Sequence, residues 1–581
     1  MRENIYRTHN CGELRIEDAG KVVRLAGFVD TIRKLGSITF VTLRDHFGIT
    51  QLLFSEESLL ENISKESTIS VSGKVLERQS KNPKMPTGDI EIEVESVTIL
   101  GKCESLLPFE ICDAQKAKED LRLKYRFLDL RNRELHDRIT KRAEILRFVR
   151  NKMSDMGFTE VQTPILTSSS PEGARDFIVP TILAKGEFYA LPQAPQQYKQ
   201  LLMVSGFDKY FQVAPCFRNE AARADRTPGE FYQIDFELSF ATQEDVFANA
   251  EELSYAIYDK FTSYDLSKPP YRRIKYNDAI RDYCSDKPDL RNPLICKDYT
   301  EFFSHVEFSL FKDKCVKGIV ANCGEKSRKY YDELASVIIN NEGKGLCWLK
   351  LTQEGFVGSL SKVLTEEQKV ELINISGIKE GETICFVADN KNKVVNLAGV
   401  LRNTMGETLG LIDKNKVEFC WIVDFPFYEY NESENKVDFS HNPFSMPQGG
   451  LDALENQDPL SIVAYQYDLV CNGYEMLSGA VRNHDPKVMV KAFEIAGYSR
   501  ETVETKFRAL FNAFSFGAPP HAGGAFGFDR MLMPILNQNT IREVIAFPMN
   551  QNGRDLLMNS PTKIDEKTLR ELGIKVIDEE D

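Results

Sequence analysis

Alternating apolar and polar residues predict a small β-barrel in the first part of the chain. Five short runs rich in β-branched and aromatic residues occur within residues 1–105, and no long helical pattern lies among them. The runs cover residues 22–29, 37–43, 49–54, 68–75 and 90–99. Five strands with glycine-containing turns favour a closed barrel, for which the OB-fold is the commonest solution.

A second alternating pattern predicts a hairpin with one apolar face and one charged face. It covers the sequence FQVAPCFRNEAARADRTPGEFYQIDFELSF, residues 211–240. Because strand side chains repeat every two residues, Arg218 and Glu220 share a face of the first strand. Gln233, Asp235 and Glu237 share a face of the second. An arginine-rich loop joins the strands. These groups suit a site for a nucleoside triphosphate, and the alternative is a solvated hairpin without a ligand.

Changes in residue composition and pattern along the chain predict a multidomain α+β protein. A chain of 581 residues exceeds one ordinary core. The predicted segments are the barrel (1–105), a hinge or linker (106–140), a mixed region (141–284), an inserted α+β domain (285–412) and a second mixed region (413–581). The linker contains the basic run RLKYRFLDLRNR, which is typical of a solvated connection, and it leads into an amphipathic helix near residues 137–156.

Composition excludes several classes of protein. The chain is 42% hydrophobic and 28% charged, as in soluble globular proteins, and it has no membrane-length apolar run and no signal-peptide core. Its 12 cysteines form no CxxC pair and its 7 histidines form no HExxH motif, which argues against structural zinc and favours a reducing, cytoplasmic setting. The net charge of −14 argues only weakly against nucleic acid, because local patches set the field that a polyanion meets.

An Asn-Gly pair between two strand-like runs predicts a second hairpin, in residues 465–482. A two-residue turn at Asn472-Gly473 places Glu475 opposite Val470. Asp468 is then a diagonal neighbour of Glu475 on the same face. Two carboxylates so placed suit Mg²⁺, which prefers one or two carboxylates together with substrate phosphates. The alternative is an exposed hairpin with ordinary surface charges.

A glycine-rich segment, GAPPHAGGAFGFDRMLM, is a third candidate site. Gly523, Gly524 and Gly527 would let a ligand approach the backbone, and Arg530 would meet a terminal phosphate. It is not a P-loop, because GxxxxGK[ST] is absent. Arg482 is spaced to reach a carboxylate substrate. The polar loops SSSPEGARDF and LPQAPQQYKQ would close over a small molecule.

Together these segments resemble the class II aminoacyl-tRNA synthetases. The first hairpin resembles their motif 2, GAFGFDRMLM resembles motif 3, and GFTEVQTP resembles motif 1, whose proline (here Pro164) lies at the dimer interface in that class. A preceding barrel resembles subclass IIb. The segments SPEGARDF, LPQAPQQYKQLLM, FSHNPF and GAPPHAGGAFGFDR are similar to bacterial-type aspartyl-tRNA synthetases, whose GAD-type domain the insertion resembles.

The resemblance implies an antiparallel-sheet catalytic domain, in two parts, that activates L-aspartate with ATP and Mg²⁺ and transfers it to the aspartate tRNA. It also implies a cytoplasmic homodimer without a membrane segment. The implied catalytic residues are Arg218, Glu220 and Arg530. The implied aspartate contacts are Glu172, Gln196, Lys199, Arg218, Asp235, His441 and Arg482. The implied ATP contacts are Arg218, Asn219, Glu220, Thr227, Glu475, Gly527, Phe528, Asp529 and Arg530. The implied metal ligands are Asp468 and Glu475, and the implied anticodon contacts are Arg33, Phe40, Gln51 and Glu91.

The chain departs from the family pattern in three places. Asn219 replaces the usual aspartate of motif 2, and the following loop is one residue longer, at Gly229. Thr31 replaces an arginine in the barrel. Leu35 stands where relatives that charge both the aspartate and asparagine tRNAs often have histidine, which favours an enzyme that discriminates between the two.

Three other functions stay open at this stage. They are the charging of both tRNAs, an adenylate-forming ligase with an acceptor other than tRNA, and a non-catalytic tRNA-binding protein. Retention of the barrel argues against the second alternative. The presence of Arg218, Glu475 and Arg530 argues against the third.

Overall fold

In a computed structural model, the chain divides into two units, Met1–Glu110 and Ile111–Asp581. The structure describes residues 4–103, 106–169, 174–226, 228–432 and 434–577. Two predicted ligand contacts, Glu172 and Thr227, lie outside the described residues. None of the described helices has the length and apolar character needed to cross a membrane.

The first unit contains the predicted closed barrel, with strand order β1-β2-β3-β5-β4. Its strands are β1 (Val22–Leu35), β2 (Ile38–Arg44), β3 (Ile49–Phe54), β4 (Thr68–Glu77) and β5 (Ile90–Gly101). The first strand continues well past the predicted residue 29, because it pairs with β4 along its first half and with β2 along its second. Alternate residues such as Val41, Leu43 and Leu52 fill the interior, so the residues between them face outward.

The basic run is helical and partly buried, so the expectation of a solvated linker is wrong. Its helices are α1 (Glu119–Lys124) and α2 (Arg126–Asp129), followed by α3 (Arg133–Asp155). Arg122 and Arg126 both pair with the fully buried Asp129, at 3.1 and 2.6 Å. Arg126 also donates hydrogen bonds to the carbonyls of residues 542, 545 and 546. The two guanidinium groups therefore hold this segment against residues 542–546 instead of facing the solvent.

After α3, the second unit continues with short strands, the first hairpin and three helices. Its strands are β6 (Thr159–Glu160), β7 (Ile178–Pro180), β8 (Phe188–Ala190), β9 (Lys209–Arg218), β10 (Gly229–Ser239), β11 (Asp265–Leu266) and β12 (Arg272–Lys275). Its helices are α4 (Gln196–Val204), α5 (Gln243–Phe261) and α6 (Tyr276–Tyr283).

The predicted insertion contains its own five-stranded sheet, in the order β13-β14-β17-β15-β16. The strands are β13 (Cys296–Asp298), β14 (Cys315–Ala321), β15 (Cys347–Thr352), β16 (Gly355–Gly358) and β17 (Thr383–Asp389). The helices are α7 (Thr300–Ser304), α8 (Arg328–Asn340), α9 (Glu366–Ser376) and α10 (Lys391–Thr408). Apolar side chains cover both faces of this sheet in two clusters, so the insertion has its own core.

The rest of the chain completes the larger sheet. Its strands are β18 (Lys416–Val417), β19 (Phe419–Pro426), β20 (Tyr428–Asn431), β21 (Lys436–Phe439), β22 (Val463–Cys471), β23 (Tyr474–Val481) and β24 (His521–Gly527). Its helices are α11 (Gly450–Asn456), α12 (Pro486–Ile495), α13 (Arg500–Lys506), α14 (Arg508–Phe514), α15 (Phe528–Ile535) and α16 (Glu566–Leu572).

Eight strands form this sheet, in the order β12-β19-β22-β23-β24-β10-β9-β6. It is antiparallel except for the pair at each edge, as predicted for the fold class. Ile234, Phe236 and Leu238 of β10 pack on α3, α5 and α15 in the main core. The opposite, polar face of the same strand is therefore free to line a site.

Candidate functional site

A cavity lies on the polar face of the large sheet, where β9, β10, β23 and β24 meet α4 and the start of α15. It brings together most of the predicted ligand contacts of this region, although they are distant in the sequence. Those that line it are Gln196, Lys199, Arg218, Glu220, Asp235, His441, Glu475, Arg482, Gly527, Asp529 and Arg530.

Two cations and two carboxylates form a buried cluster at one end of the cavity. The ammonium of Lys199 lies 2.6 Å from Asp235 Oδ1 and 3.3 Å from Glu237 Oε2. Arg482 donates to Glu237 through Nε (2.9 Å) and Nη2 (3.2 Å). Burial would raise the pKa of Glu237, but Arg482 and Lys199 lower it. The cluster is therefore held in a fixed arrangement by its own ion pairs.

Four polar atoms around this cluster have no hydrogen-bond partner within the described protein. They are Gln196 Nε2, Arg218 Nε, Asp235 Oδ2 and Arg482 Nη1. Buried polar groups are rarely left unpaired, and an exception calls for an explanation, such as a bound ligand, ion or water molecule. Three of these atoms are donors and one is a carboxylate oxygen. They match a zwitterionic ligand that carries an ammonium group and more than one carboxylate.

A carboxylate pair lies at the β22–β23 hairpin. Glu475 pairs with Val470, as the Asn472-Gly473 turn predicts, and a bulge then shifts the register so that Asp468 pairs with Ser478. Asp468 is 4% exposed, and its Oδ1 has no hydrogen-bond partner among the described residues. Burial and the charge of Glu475 raise the pKa of Asp468 to about 8. A cation at this position would relieve both effects.

These two carboxylates fit Mg²⁺ as it binds in nucleotide sites, where the phosphates supply further ligands. No group of three or more His, Cys, Asp or Glu side chains suited to a metal occurs in the described part of the chain. Two carboxylates leave most positions around an octahedral Mg²⁺ ion to other ligands.

Arginines from three segments line the same cavity. Arg530 donates through Nη1 to the Glu475 carbonyl at 2.7 Å, and the same nitrogen lies 3.5 Å from Glu475 Oε1. Arg226 pairs with Glu220 at 2.6 Å. The Arg218 guanidinium carbon lies 5.0 Å from the centre of the Phe231 ring. Guanidinium groups suit phosphate oxygens because they offer several donors in a planar fork.

The glycine-rich strand β24 corrects one expectation. A Cβ at Gly523 would lie 2.2 Å from Glu237 Oε2, and one at Gly524 would meet Leu477 at 3.0 Å. Both glycines therefore admit neighbouring protein atoms rather than a ligand. Only Gly527 of the three lines the cavity. Its role as a ligand contact stays a prediction.

Three predicted ATP contacts have surroundings that differ from those of the others: one is exposed, one is buried in the core and one is paired with an arginine. Asn219 is exposed and does not line the cavity, and its backbone N–H donates to the backbone carbonyl of Arg175. Phe528 is fully buried in the core and does not line the cavity, so its role as an ATP contact stays a prediction. The Asp529 carboxylate pairs with Arg142 and accepts a hydrogen bond from the Tyr232 amide at 3.0 Å. This aspartate positions the start of α15.

The predicted anticodon contacts lie together on the outer face of the barrel. Arg33 pairs with Phe40 across β1 and β2, and the interior is filled by the alternate residues. Gln51 Nε2 donates to Glu91 Oε2 at 2.7 Å. Phe40 is partly exposed rather than part of the core. An aromatic ring beside amide and carboxylate groups suits an unstacked base.

Two family models match the chain in agreement with this geometry. The model of class II tRNA synthetases (D, K and N) matches residues 118–551, and the OB-fold nucleic acid binding domain matches residues 23–100. The chain belongs to the class II tRNA synthetases.

Close relatives of this synthetase cover nearly its whole length. A protein of Rickettsia prowazekii called aspartate–tRNA(Asp/Asn) ligase is 50% identical over 587 residues, which are 98% of this chain and 97% of that protein. A protein of Streptomyces coelicolor called aspartate–tRNA ligase is 49% identical over 579 residues, covering 98% of each.

Solved synthetase structures share the fold. The asparaginyl-tRNA synthetase from Pyrococcus horikoshii, complexed with asparaginyl-adenylate, aligns with a TM-score of 0.58 and 19% identity over 94% of this chain and 98% of that one. The aspartyl-tRNA synthetase from Entamoeba histolytica gives a TM-score of 0.55 with 20% identity, over 93% and 91%.

The sequence did not single out several residues that the synthetase places at the site. Phe231 and Ser478 line the cavity, and Lys287 pairs with Glu475. Gln233 lines it as well, on the polar face of β10 where the two-residue period places it. Ser478 depends on the bulge and Lys287 on a contact across the insertion boundary. Neither leaves a local signal in the sequence.

Proposed function

We propose that this synthetase is an aspartate–tRNA ligase that forms aspartyl-adenylate from L-aspartate and ATP. The observation that carries the proposal is the set of unpaired atoms around the buried charge cluster. The ammonium of aspartate would meet Asp235 Oδ2, and its side-chain carboxylate would meet Arg482 Nη1. Relatives that are about half identical carry aspartate in their names, which agrees with this choice of amino acid.

The activation step needs no covalent bond to the enzyme. The α-carboxylate of aspartate attacks the α-phosphorus of ATP, the bond from that phosphorus to the bridging oxygen breaks, and pyrophosphate leaves. Arg218 lies where it would neutralise the charge that develops on the α-phosphate, and Arg530 would bind the departing phosphates. Asp468 and Glu475 would hold Mg²⁺, which neutralises the triphosphate when it is bound. Positioning and charge neutralisation supply most of the rate enhancement.

Transfer of aspartate to the 3′ end of a tRNA would follow. The outer face of the barrel supports this assignment, because the partly exposed ring of Phe40 lies there on the same face as the largely buried Gln51–Glu91 pair. A cytoplasmic homodimer is also part of the proposal. The segment around Pro164 supports dimerisation, since Pro164 is exposed and the side chains of Ile165 and Leu166 are 47% and 52% exposed.

An ATP–pyrophosphate exchange assay across aspartate, asparagine and lysine tests the activation step. We expect exchange with aspartate and at most traces with the other two, because only aspartate has a side-chain carboxylate that can bind Arg482. Aspartylation of tRNA by the same preparation tests the transfer step. Exchange that depends on lysine or asparagine instead would refute the amino-acid assignment. Exchange without aspartylation would point to another acceptor.

A second candidate function is the charging of both the aspartate and the asparagine tRNA. The name of the Rickettsia prowazekii relative favours it, whereas Leu35, 73% exposed near the end of β1, favours discrimination. We expect the purified aspartate tRNA to be charged with at least about tenfold higher kcat/KM than the asparagine tRNA, a preference of about 1.4 kcal/mol. Equal efficiencies with the two tRNAs would establish the second candidate.

A further inference from the structure

Lys287 lies beside the carboxylate pair, although it comes from the loop that begins the predicted insertion. Its ammonium is 3.3 Å from Glu475 Oε2 and 2.7 Å from Asp286 Oδ2. Its side chain is 35% exposed. Asp468 is close enough for its charge to act on Lys287 as well. A lysine from outside the hairpin thus supplies a positive charge at the place where the metal would bind.

The hairpin turn and the lysine loop pack against each other. Asn472 and Gly473 have φ values of +50° and +88°, as in a tight primed turn. A Cβ on Gly473 would lie 3.5 Å from Asp289 Cβ and 3.9 Å from the Lys287 carbonyl oxygen. Arg291 fixes the loop through Asp289 at 2.8 Å. The distance between Lys287 and Glu475 therefore depends on the packing of the loop against the hairpin turn as well as on the lysine side chain.

The charges around the pair explain what Lys287 does in the absence of metal. Asp286, Asp468 and Glu475 bring three carboxylates together, while Lys287 and Arg530 are the cations in contact with Glu475. Asp468 is 4% exposed and keeps an unpaired oxygen, so the cluster retains a position for a further cation. An ammonium and a divalent ion cannot both lie against the same carboxylate oxygen without strong repulsion.

We propose that Lys287 is an internal cation of the metal site: it neutralises Glu475 in the free protein, must leave the Glu475 oxygen when a divalent metal binds, and thereby lowers metal affinity. The proposal rests on the assignment of Asp468 and Glu475 as metal ligands. It makes the first loop of the insertion a determinant of metal affinity, and it predicts that removal of a positive charge strengthens metal binding.

The test is the binding of Mn²⁺ alone to the full-length protein, followed by the electron paramagnetic resonance signal of the free ion, without ATP, aspartate or tRNA. We expect Lys287→Met and Lys287→Gln to bind Mn²⁺ at least about tenfold more tightly than the wild type. Lys287→Arg should stay close to the wild type, because it keeps the charge. Lys275→Met is a matched control, since this lysine is 69% exposed and pairs with Asp424 at 3.4 Å.

The location of the ion is tested in the same assay. Asp468→Asn combined with Lys287→Met should remove the gain in affinity. Wild-type affinity in both neutral Lys287 variants, or a gain that survives Asp468→Asn, would overturn the proposal. Two neutral variants are used so that a folding defect in one does not decide the result. A negative exchange assay would refute the proposed function without changing this readout, because no substrate is present.

Discussion

Replacing Arg218 by alanine should reduce aspartate-dependent ATP–pyrophosphate exchange by at least about 10³-fold, as expected for loss of a preorganised charge at a reacting phosphate. Arg218 ends β9 and lines the cavity, and its Nε has no hydrogen-bond partner. Its guanidinium lies over the Phe231 ring, so it is held in place before a substrate arrives. The loss should appear mainly in kcat, because the charge that Arg218 neutralises is greatest in the transition state.

The matched control is Arg223→Ala. Arg223 lies in the loop that follows β9, but it is exposed and does not line the cavity. It should retain exchange activity. Binding of tRNA to the Arg218→Ala variant, measured by filter retention at fixed salt, should be largely unchanged, because the proposed anticodon contacts are on the barrel. Exchange at the wild-type rate in Arg218→Ala would remove this arginine from the proposed chemistry.

Local periodicity predicted those parts of the site that lie on one strand or one turn. The two-residue repeat of β10 gave the polar face of Asp235 and Glu237, and the Asn-Gly turn gave the pairing of Glu475 with Val470. Both signals involve only a few neighbouring residues, so they can be recognised in the sequence. The barrel and the antiparallel class of the large sheet were predicted correctly for the same reason.

Contacts between distant segments explain what the sequence analysis missed. Arg482 was expected to meet only a substrate, yet it also pairs with Glu237, 245 residues away. Gly523 was assigned to a ligand, but it makes room for that same glutamate. Arg126 was placed in a solvated linker and instead pairs with the buried Asp129. In each case a polar or small residue is explained by a partner that folding brings to it, which no local pattern encodes.

Replacing Arg482 by methionine should lower kcat/KM for aspartate by about 10²–10³-fold, the usual cost of truncating one partner of a buried charge pair. The KM for ATP should change far less, because Arg482 lies at the end of the cavity that is proposed to bind aspartate. The same substitution leaves Glu237, which is 0% exposed, with Lys199 alone at 3.3 Å. It should therefore also cost about 3–5 kcal/mol of folding stability.

A double variant separates ligand binding from folding. Arg482→Met combined with Glu237→Met removes both charges, so no unpaired carboxylate stays buried, and stability measured by urea unfolding should recover. Aspartate activation should stay low, because Arg482 Nη1 is still missing. Arg482→Lys keeps the charge but loses the planar fork, and it should fall between the wild type and Arg482→Met. If the double variant regained wild-type kcat/KM for aspartate, Arg482 would be a structural residue and the carboxylate of the substrate would need another partner.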